Sequence, residues 1–289
     1  QFDDPSTSEV RNAMALKFKA RYGSWALVTG GHSGIGYHLA DQIAAEGIDL
    51  VISARNQGAL DTAAEAIRSK HGVQVKTVAA DCSSEEGVQG LINALKGIEI
   101  SILVPNAGVE MNGHFVENDP VALQKMLFLN VTAPTLLARH YGRLMAERGK
   151  GAILLTASLL GFTPVPYMAA YAATKAYVGS LGEALHAELK PLGVDVTVLS
   201  PGVTDTPMLK GMKPPAPVDT PEHTAHVGLW ALGRFAHRVP LIANRLTVFL
   251  MKRVMPRGIV LIAYKAIFAY MFKVKQPPAF AAVAKAKAP

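Results

Sequence analysis

The pair of residues best suited to acid–base chemistry is Tyr171 and Lys175, which are four positions apart in a segment predicted to be helical. Side chains at i and i+4 lie on one face of a helix, in adjacent turns. A phenol with a pKa of about 10 exchanges its proton poorly at neutral pH, but a nearby ammonium favours the phenolate and lowers that pKa. The pair therefore indicates proton transfer with a substrate, although Tyr-x-x-x-Lys alone is a common chance pattern.

Other polar residues and glycines follow the predicted strands. Ser158 comes after the fifth strand, thirteen residues before Tyr171, and Asn130 lies in the long helix after the fourth. The other residues of this kind are Asn106, Ala107 and Gly108 after the fourth strand, and Pro201, Gly202, Thr204 and Thr206 after the sixth. Because the carboxyl ends of parallel strands meet at one edge of a sheet, we expect all these residues in one site.

A glycine-rich loop, Thr29-Gly30-Gly31-His32-Ser33-Gly34-Ile35-Gly36, follows the first predicted strand and opens a helix. Glycines let the backbone approach a phosphate, and a helix N-terminus offers free N–H groups and the positive end of the helix dipole. We therefore predict that the loop binds the pyrophosphate of a dinucleotide. The contacts are expected from Gly30, His32, Ser33, Gly34, Ile35 and Gly36.

The end of the second strand bears on the type of dinucleotide. It carries Arg55, whereas a site for NAD favours an acidic residue there that bonds the ribose 2′-hydroxyl. A guanidinium suits a 2′-phosphate instead, and His32 could add a second donor. The sequence thus predicts NADP(H) as the cofactor. The alternative is that Arg55 is only a solvated residue after a strand.

Short apolar runs alternate with longer amphipathic runs from residue 25 to residue 199. The predicted strands are Trp25–Thr29, Ile48–Ser53, Val73–Ala79, Ile100–Val104, Ala152–Thr156 and Asp195–Leu199, and the predicted helices lie near 34–46, 57–70, 84–96, 119–148 and 167–190. Strands that are apolar throughout are buried on both faces, and their alternation with helices predicts a parallel sheet. The fold class is therefore α/β, with a doubly wound Rossmann-type sheet.

These motifs, in this order and spacing over residues 22–210, resemble the short-chain dehydrogenase/reductase family. The resemblance implies that Tyr171 is the proton donor in reduction and the base in oxidation, and that Ser158 bonds the substrate oxygen. It implies that Lys175 bonds the nicotinamide ribose and lowers the tyrosine pKa, and that Asn130 helps to hold a proton-relaying water. Asp81, after the third strand, resembles the family's adenine contact.

The same resemblance assigns cofactor contacts to the other matching positions. Asn106, Ala107 and Gly108 match a wall of the cofactor site, and residues 201–206 match the loop beside the nicotinamide. Pro105 stands where the family often has a first Asn. We also expect a homo-oligomer, since oligomers are common in the family.

Composition narrows the class of protein and its setting. The chain has 289 residues with a net charge of +7, half of them hydrophobic and 18% charged, which excludes a mostly disordered protein. Its only cysteine, Cys82, cannot form an internal disulfide and indicates a reducing compartment such as the cytoplasm. Residues 1–12 lack the apolar core of a secretion signal.

The predicted organisation is one domain with additions at both ends. We expect an N-terminal arm at 1–21, a dinucleotide-binding and catalytic domain at 22–242, and a helical extension at 243–289. A proline-rich segment at 205–222 is expected to be a loop, either a lid over the site or an ordinary surface connection. A last strand is expected at Arg238–Ile242.

The extension is both basic and apolar. Residues 210–289 carry thirteen Lys and Arg but only two acidic residues, Asp219 and Glu222. Helical runs at 244–255 and 258–272 have the composition of helices that lie in an anionic membrane surface. The alternative is that they pack on the domain or on another subunit, with the cations as a solvated rim. Nucleic acid is not expected, since the cations are not interleaved with a polar groove.

The sequence does not predict a metal site or a hydrolase nucleophile. His223 and His226 have metal-ligand spacing on a helix but no evident third ligand, so no metal site is expected. Ser158 lacks the Gly-x-Ser-x-Gly setting of a hydrolase nucleophile.

The sequence as a whole predicts an NADP(H)-dependent oxidoreductase that interconverts a ketone and a secondary alcohol. Its extension loosely resembles the branches that act on hydroxysteroids and 3-oxoacyl chains, which suggests a small hydrophobic substrate. The alternative is a membrane-associated protein that binds NADP(H) without turnover.

Overall fold

Seven parallel strands form one sheet in the order β3-β2-β1-β4-β5-β6-β7 in the computed structural model, which describes residues 18–209 and 217–274. The strands are β1 (Trp25–Thr29), β2 (Asp49–Ala54), β3 (Val75–Ala79), β4 (Ile100–Pro105), β5 (Gly151–Thr156), β6 (Val194–Leu199) and β7 (His237–Arg238). The strand order reverses between β1 and β4, and the loops that leave these two strands turn to opposite faces of the sheet. A crevice for a ligand therefore forms at their carboxyl ends.

Helices cover both faces of the sheet. They are α1 (Phe18–Tyr22), α2 (Gly34–Ala45), α3 (Gln57–His71), α4 (Glu85–Ala94), α5 (Pro120–Leu127), α6 (Ala133–Arg148), α7 (Ala169–Leu189), α8 (Pro221–Ala231), α9 (Ile242–Phe249) and α10 (Arg257–Met271). A π-helical turn at Phe128–Thr132 joins α5 to α6, and another at Leu250–Val254 follows α9.

The core has two main layers because alternate residues of each strand face opposite sides. In β1, Val28 packs with Leu39 of α2 on one side, whereas Leu27 packs with Leu137 of α6 on the other. A third cluster lies under α10, where Phe268 packs with partners that include Met126 and Met168. The extension is thus built onto the domain through its own small core.

Local sequence sets several helix ends. Asn56 accepts a hydrogen bond from the backbone of Ala59 at the start of α3, and Ser84 does the same for Gly87 in α4. At the other end of α3, Gly72 adopts a left-handed conformation with φ of 67°, which glycine takes without strain.

Three of the differences between the predicted elements and the structure have an identifiable local cause. The helix over 119–148 is interrupted by the π-helical turn, and α7 begins at Ala169 rather than at residue 167 because Tyr167 has a positive φ of 66°. The last strand is His237–Arg238, not Arg238–Ile242. Pro240 has no N–H for a ladder, and the chain enters α9 at Ile242.

One stretch, Pro120–Arg148, is long and apolar enough to cross a membrane by length and composition. Leu137, Tyr141 and Met145 in this stretch are buried in the core layer beneath α6. Core helices of globular domains pass the same test of length and composition.

Candidate active site

A cavity of about 610 Å³ lies at the carboxyl ends of the strands and collects most of the predicted site residues. Its lining includes Gly30, His32, Ser33, Gly34, Ile35, Asn106, Ala107, Gly108, Ser158, Tyr171, Lys175, Pro201, Gly202, Thr204 and Thr206. Gly36, Arg55, Asp81 and Asn130 are not part of this lining. They lie behind it or beside it.

The glycine loop is shaped so that only glycine fits at its critical positions. Gly30 has a φ of +69°, and a Cβ on Gly36 would lie 2.3 Å from the carbonyl oxygen of Gly30. Ser33 precedes α2 without capping it, so the first N–H groups of that helix are not taken by its side chain. This arrangement fits a pyrophosphate, which needs a close backbone and free N–H donors.

The groups expected around the adenosine half lie at the ends of two neighbouring strands. Ala54 of β2 is opposite Ala79 of β3, so Arg55 and Asp81 follow the sheet at the same edge. His32 has a buried Nδ1 without a hydrogen-bond partner among the described residues. Burial and then the nearby Arg55 guanidinium lower the pKa of His32, so a neutral imidazole faces this region. An exposed guanidinium with an unused imidazole nitrogen fits a 2′-phosphate.

Lys175 is held deep in the site. Its Nζ donates a hydrogen bond to the carbonyl oxygen of Thr156 across 3.0 Å and lies 5.8 Å from the centre of the Tyr171 ring. Only 6% of the residue is exposed, and burial lowers the pKa of the ammonium to about 8. The sequence-predicted pairing of Tyr171 and Lys175 on one helix face is thus present in α7.

The pKa of Tyr171 moves in the direction opposite to the predicted one. Burial raises it, and the charge of Glu110 raises it further, whereas a hydrogen bond with Ser158 acts to lower it. The net pKa is therefore raised, and any lowering by the Lys175 ammonium does not offset the effects of burial and of Glu110. Desolvation of the phenol is the largest effect, and the ammonium is itself poorly solvated.

Asn130 is buried within the π-helical turn and uses its side chain for structure. Its Oδ1 accepts from the backbone N–H of Val109 at 3.0 Å, and its Nδ2 donates to the carbonyl oxygen of Val109 at 2.8 Å and to Thr174 Oγ1 at 3.2 Å. The amide therefore tethers the chain after β4 to α7. The side-chain amide of Asn130 is thus already bonded to protein groups, and its role in holding a water stays a prediction.

Ser158 begins a short 3-10 turn, Leu159–Phe162, directly after β5. Its Oγ accepts a hydrogen bond from the N–H of Leu160 at 3.2 Å and remains in the cavity wall. A hydroxyl that accepts from the backbone still has its proton to donate. Ser158 is therefore positioned to donate to an oxygen that lies beside Tyr171.

Two polar residues of the cavity were missed in the sequence. Glu110 lies in the lining, and burial raises the pKa of its carboxyl. Asn244, on α9, is 95% buried against Gly202, and its Nδ2 has no hydrogen-bond partner among the described residues. A polar residue directly after Gly108-Val109 in one case, and on an amphipathic helix in the other, cannot be assigned to the site without knowledge of the fold.

The extension supplies the apolar side of the cavity. Tyr264, Ile267, Phe268, Met271 and Phe272 of α10 and its end contribute to the lining, together with Leu160 and Met168. The proline-rich loop is described only at its two ends, where Thr204 bridges to Asp219, and residues 210–216 lie outside the described part. His223 contacts the carboxylate of Asp219 at 2.7 Å.

Comparisons of the sequence and of the structure with known proteins identify the same family. The family model described as "short chain dehydrogenase" matches residues 24–216. The chain is 34% identical over 215 residues to a very-long-chain 3-oxoacyl-CoA reductase-B of Danio rerio, covering 73% of this chain and 69% of the relative. The mouse very-long-chain 3-oxoacyl-CoA reductase is 35% identical, and the matched region covers 67% of this chain and 64% of that protein.

Solved structures agree with these relatives. A 7β-hydroxysteroid dehydrogenase superposes with a TM-score of 0.81 at 26% identity, covering 86% of this chain and 99% of that one. A short-chain dehydrogenase from Sphingobium yanoikuyae, solved with NADPH, gives a TM-score of 0.73 at 31% identity, covering 82% and 95%.

Proposed function

The chain belongs to the short-chain dehydrogenase family, and on that premise we propose that it is an NADP(H)-dependent oxidoreductase that interconverts a ketone and a secondary alcohol. The observation that carries the proposal is the position of Ser158, Tyr171 and Lys175 in one cavity with the glycine loop. A protein that only bound the dinucleotide would have no chemical need for this buried acid–base group.

A bound NADP(H) supplies a hydride to the carbonyl carbon or accepts one from the alcohol. The chain's own residues handle the proton. In reduction, the Tyr171 hydroxyl donates its proton to the substrate oxygen while Ser158 hydrogen-bonds that oxygen. The Lys175 ammonium lies 5.8 Å from the centre of the Tyr171 ring, where it stabilises the phenolate that remains. The pKa of Tyr171 is raised, so the phenol is protonated at neutral pH and holds the proton that reduction requires.

The preference for NADP(H) rests on Arg55 and His32. His32 lies in the glycine loop after β1 and Arg55 directly follows β2, and neither position offers a carboxylate to a ribose 2′-hydroxyl. The NADPH bound to the Sphingobium relative agrees with this preference.

We assign a hydrophobic substrate, such as an acyl, steroid or isoprenoid ketone. The cavity wall opposite the glycine loop is built from Leu160, Met168, Tyr264, Phe268 and Phe272. An apolar wall of this size binds long or polycyclic hydrocarbon better than a small polar ketone. The names of the relatives, 3-oxoacyl-CoA reductase and hydroxysteroid dehydrogenase, support this class.

The setting follows from features outside the cavity. The free, buried Cys82 supports a reducing compartment such as the cytoplasm, and the basic extension supports work at a membrane surface. We propose that a homo-oligomer forms through a different face. An apolar groove of about 540 Å³ between α6 and α7 is lined by Ala138, Leu181, Leu185 and Leu189, among other residues.

The test is NADPH oxidation with a panel of ketones of increasing chain length, compared between the native protein and Tyr171→Phe. We expect turnover that rises with chain length, and a loss of about 10²- to 10⁴-fold in Tyr171→Phe with NADPH affinity unchanged. Tight NADPH binding with no turnover of any ketone in the panel would favour the alternative, a membrane-associated sensor of NADP(H).

A further inference from the structure

The outward face of the C-terminal helices is unusually apolar for a solvent-exposed surface. We define the docking face as the exposed apolar side chains of 242–270: Ile242, Leu246, Phe249, Leu250, Val254, Met255, Ile259, Leu261, Ile262, Ile267 and Tyr270. They are eleven of the twenty-one large apolar side chains exposed in the described part of the chain. Tyr270 is 85% exposed, Ile242 75% and Ile262 72%. Apolar patches this extended mark contact surfaces.

The charge around the docking face has a single sign. Arg245, Lys252, Arg253, Arg257, Lys265 and Lys273 lie on these helices or at their ends, and no Asp or Glu follows Glu222 in the sequence. Five of these residues are exposed beside the apolar ones, and Arg245 is partly buried. The charge therefore complements an anionic partner.

This charge distribution decides between the two occupants left open by the sequence. A symmetric contact between two copies would place the same patch against itself, and so cations against cations without compensating acids. The α6–α7 groove differs, since Arg143 pairs there with Glu147 at 2.7 Å. A lipid bilayer with anionic headgroups matches both properties of the docking face, because its phosphates bind the cations and its acyl chains contact the apolar side chains.

The length of the helices favours a position in the surface rather than across it. α10 has 15 residues and is about 22 Å long, whereas the hydrocarbon core is about 30 Å thick. Lys265 also lies in the middle of α10. A short amphipathic helix with a central cation lies in the interface plane.

The opposite side of the same helices forms the wall of the active-site cavity. Asn244, Phe268 and Met271 line it from α9 and α10. Ile267 lines the cavity and is also 39% exposed on the docking face, and Met208 likewise lines the cavity while remaining exposed. The mouth of the cavity therefore opens beside the apolar surface.

We propose that α9 and α10 dock in the surface of an anionic lipid bilayer, and that the cavity receives its apolar substrate directly from the lipid through the mouth beside Ile267. The route of the substrate rests on the proposed function. The docking itself does not, because it depends only on the outward side chains.

The experiment measures sedimentation of the full chain with vesicles of phosphatidylcholine, with and without phosphatidylserine. One variant, Arg253→Gln/Arg257→Gln/Lys265→Gln, removes charge, and another, Ile262→Ser/Tyr270→Ser, removes apolar contact. Lys96→Gln/Lys150→Gln and Leu144→Ser are the matched controls, since these side chains are exposed elsewhere on the protein and line neither the cavity nor the α6–α7 groove. None of the changed side chains lines the cavity.

We expect the native chain to bind the phosphatidylserine vesicles, the charge variant to bind about 100-fold more weakly, and the controls to bind as the native chain does. The apolar variant should also lose binding, and the vesicles should lower KM for a long-chain ketone in the native chain only. The proposal is overturned if both variants bind the vesicles as tightly as the native chain does, or if the native chain does not bind the vesicles at all. A larger oligomer that disappears in Ile262→Ser/Tyr270→Ser would assign the face to a second copy instead.

Turnover of a short, water-soluble ketone without vesicles separates this proposal from the proposed function. If vesicles bind but no ketone is reduced, the docking stands and the reductase assignment fails. If the short ketone is reduced normally and vesicles neither bind nor change KM, the docking fails alone.

Discussion

Asn244 lies against the backbone of Gly202 so closely that a Cβ at position 202 would be 2.2 Å from the amide nitrogen of the asparagine. Gly202 belongs to the loop after β6, and Asn244 belongs to α9 of the extension. This contact fixes the extension to the loop that we assign to the nicotinamide side. A side chain at position 202 would therefore require the Asn244 amide to shift.

The first prediction tests this contact. Gly202→Ala should lower the free energy of unfolding by about 1–3 kcal/mol, because the added methyl group overlaps Asn244. It should also weaken NADPH binding. The measurements are thermal unfolding and fluorescence titration with NADPH.

A second substitution provides the control. Asn244→Ala removes the overlapping amide, so the double variant should be more stable than Gly202→Ala alone. If the loss of stability in the double variant equals the sum of the losses in the two single variants, the two residues do not contact each other.

Lys175→Met should stabilise the protein while abolishing its activity. Burial depresses the pKa of the ammonium from 10.5 to about 8, which means that the folded state holds this proton less tightly than the unfolded chain by about 3 kcal/mol. Below pH 8 both states carry the proton, so the folded state bears the full cost of the buried charge. As the pH rises from about 8 to 10.5 the folded state loses the proton first, and the cost disappears.

The expected result is therefore a gain in the free energy of unfolding of up to about 3 kcal/mol at neutral pH that declines over this range. Denaturant unfolding without dinucleotide, at several pH values, measures it. Lys150→Met, at an exposed position, should show no such gain. A gain that grows with pH would contradict the assignment.

Glu110→Gln should shift the pH dependence of alcohol oxidation to lower pH. The carboxylate of Glu110 raises the pKa of Tyr171, and its removal lowers that pKa. Oxidation needs the phenolate as base, so the acidic limb of kcat/KM should move to lower pH. Glu117→Gln, an exposed change on the neighbouring 3-10 turn, should leave the limb in place. If the acidic limb of the pH profile is unchanged in Glu110→Gln, Glu110 does not affect the pKa of Tyr171.

Arg55→Glu should weaken NADPH binding by about ten- to hundredfold and leave NADH binding equal or stronger. A charge-assisted hydrogen bond to a phosphate is worth about 1.5–3 kcal/mol, and the glutamate would repel that phosphate. Titration with both dinucleotides measures the ratio. Lys96→Glu makes the same charge change at a distant exposed position and should not alter it. If Arg55→Glu leaves the ratio of NADPH to NADH affinity unchanged, Arg55 does not contact the dinucleotide and is only a solvated surface residue.

The sheet and the glycine loop could be predicted from the sequence because both depend on local patterns. β1 is Trp25–Thr29 as predicted, and the other five core strands differ from their predicted limits by one or two residues. An apolar run that is bounded by polar residues and glycine marks a buried strand without knowledge of its neighbours. The family likeness was equally visible, since its motifs lie in order along the chain.

The parts that could not be predicted depend on contacts distant in sequence. Asn244 enters the site only because α9 packs on the loop of Gly202, and Glu110 affects Tyr171 only because β4 and α7 bring them together. The net shift of the Tyr171 pKa could not be predicted for a related reason. The sequence showed its charged neighbour on the helix, but the degree of burial is a property of the complete fold.

The π-helical turn at Phe128–Thr132 has a consequence for how this protein can vary. A π-helical turn holds one residue more than a regular α-helical turn, because its hydrogen bonds run from i to i+5 rather than to i+4. Removing one residue from this turn would therefore leave α5 and α6 in phase, with Leu137 and Met145 still in the core. Removing one residue within α6 would instead rotate the rest of that helix by about 100°. A change of length in the stretch from Pro120 to Arg148 is therefore accommodated at this turn and not in the helices on either side.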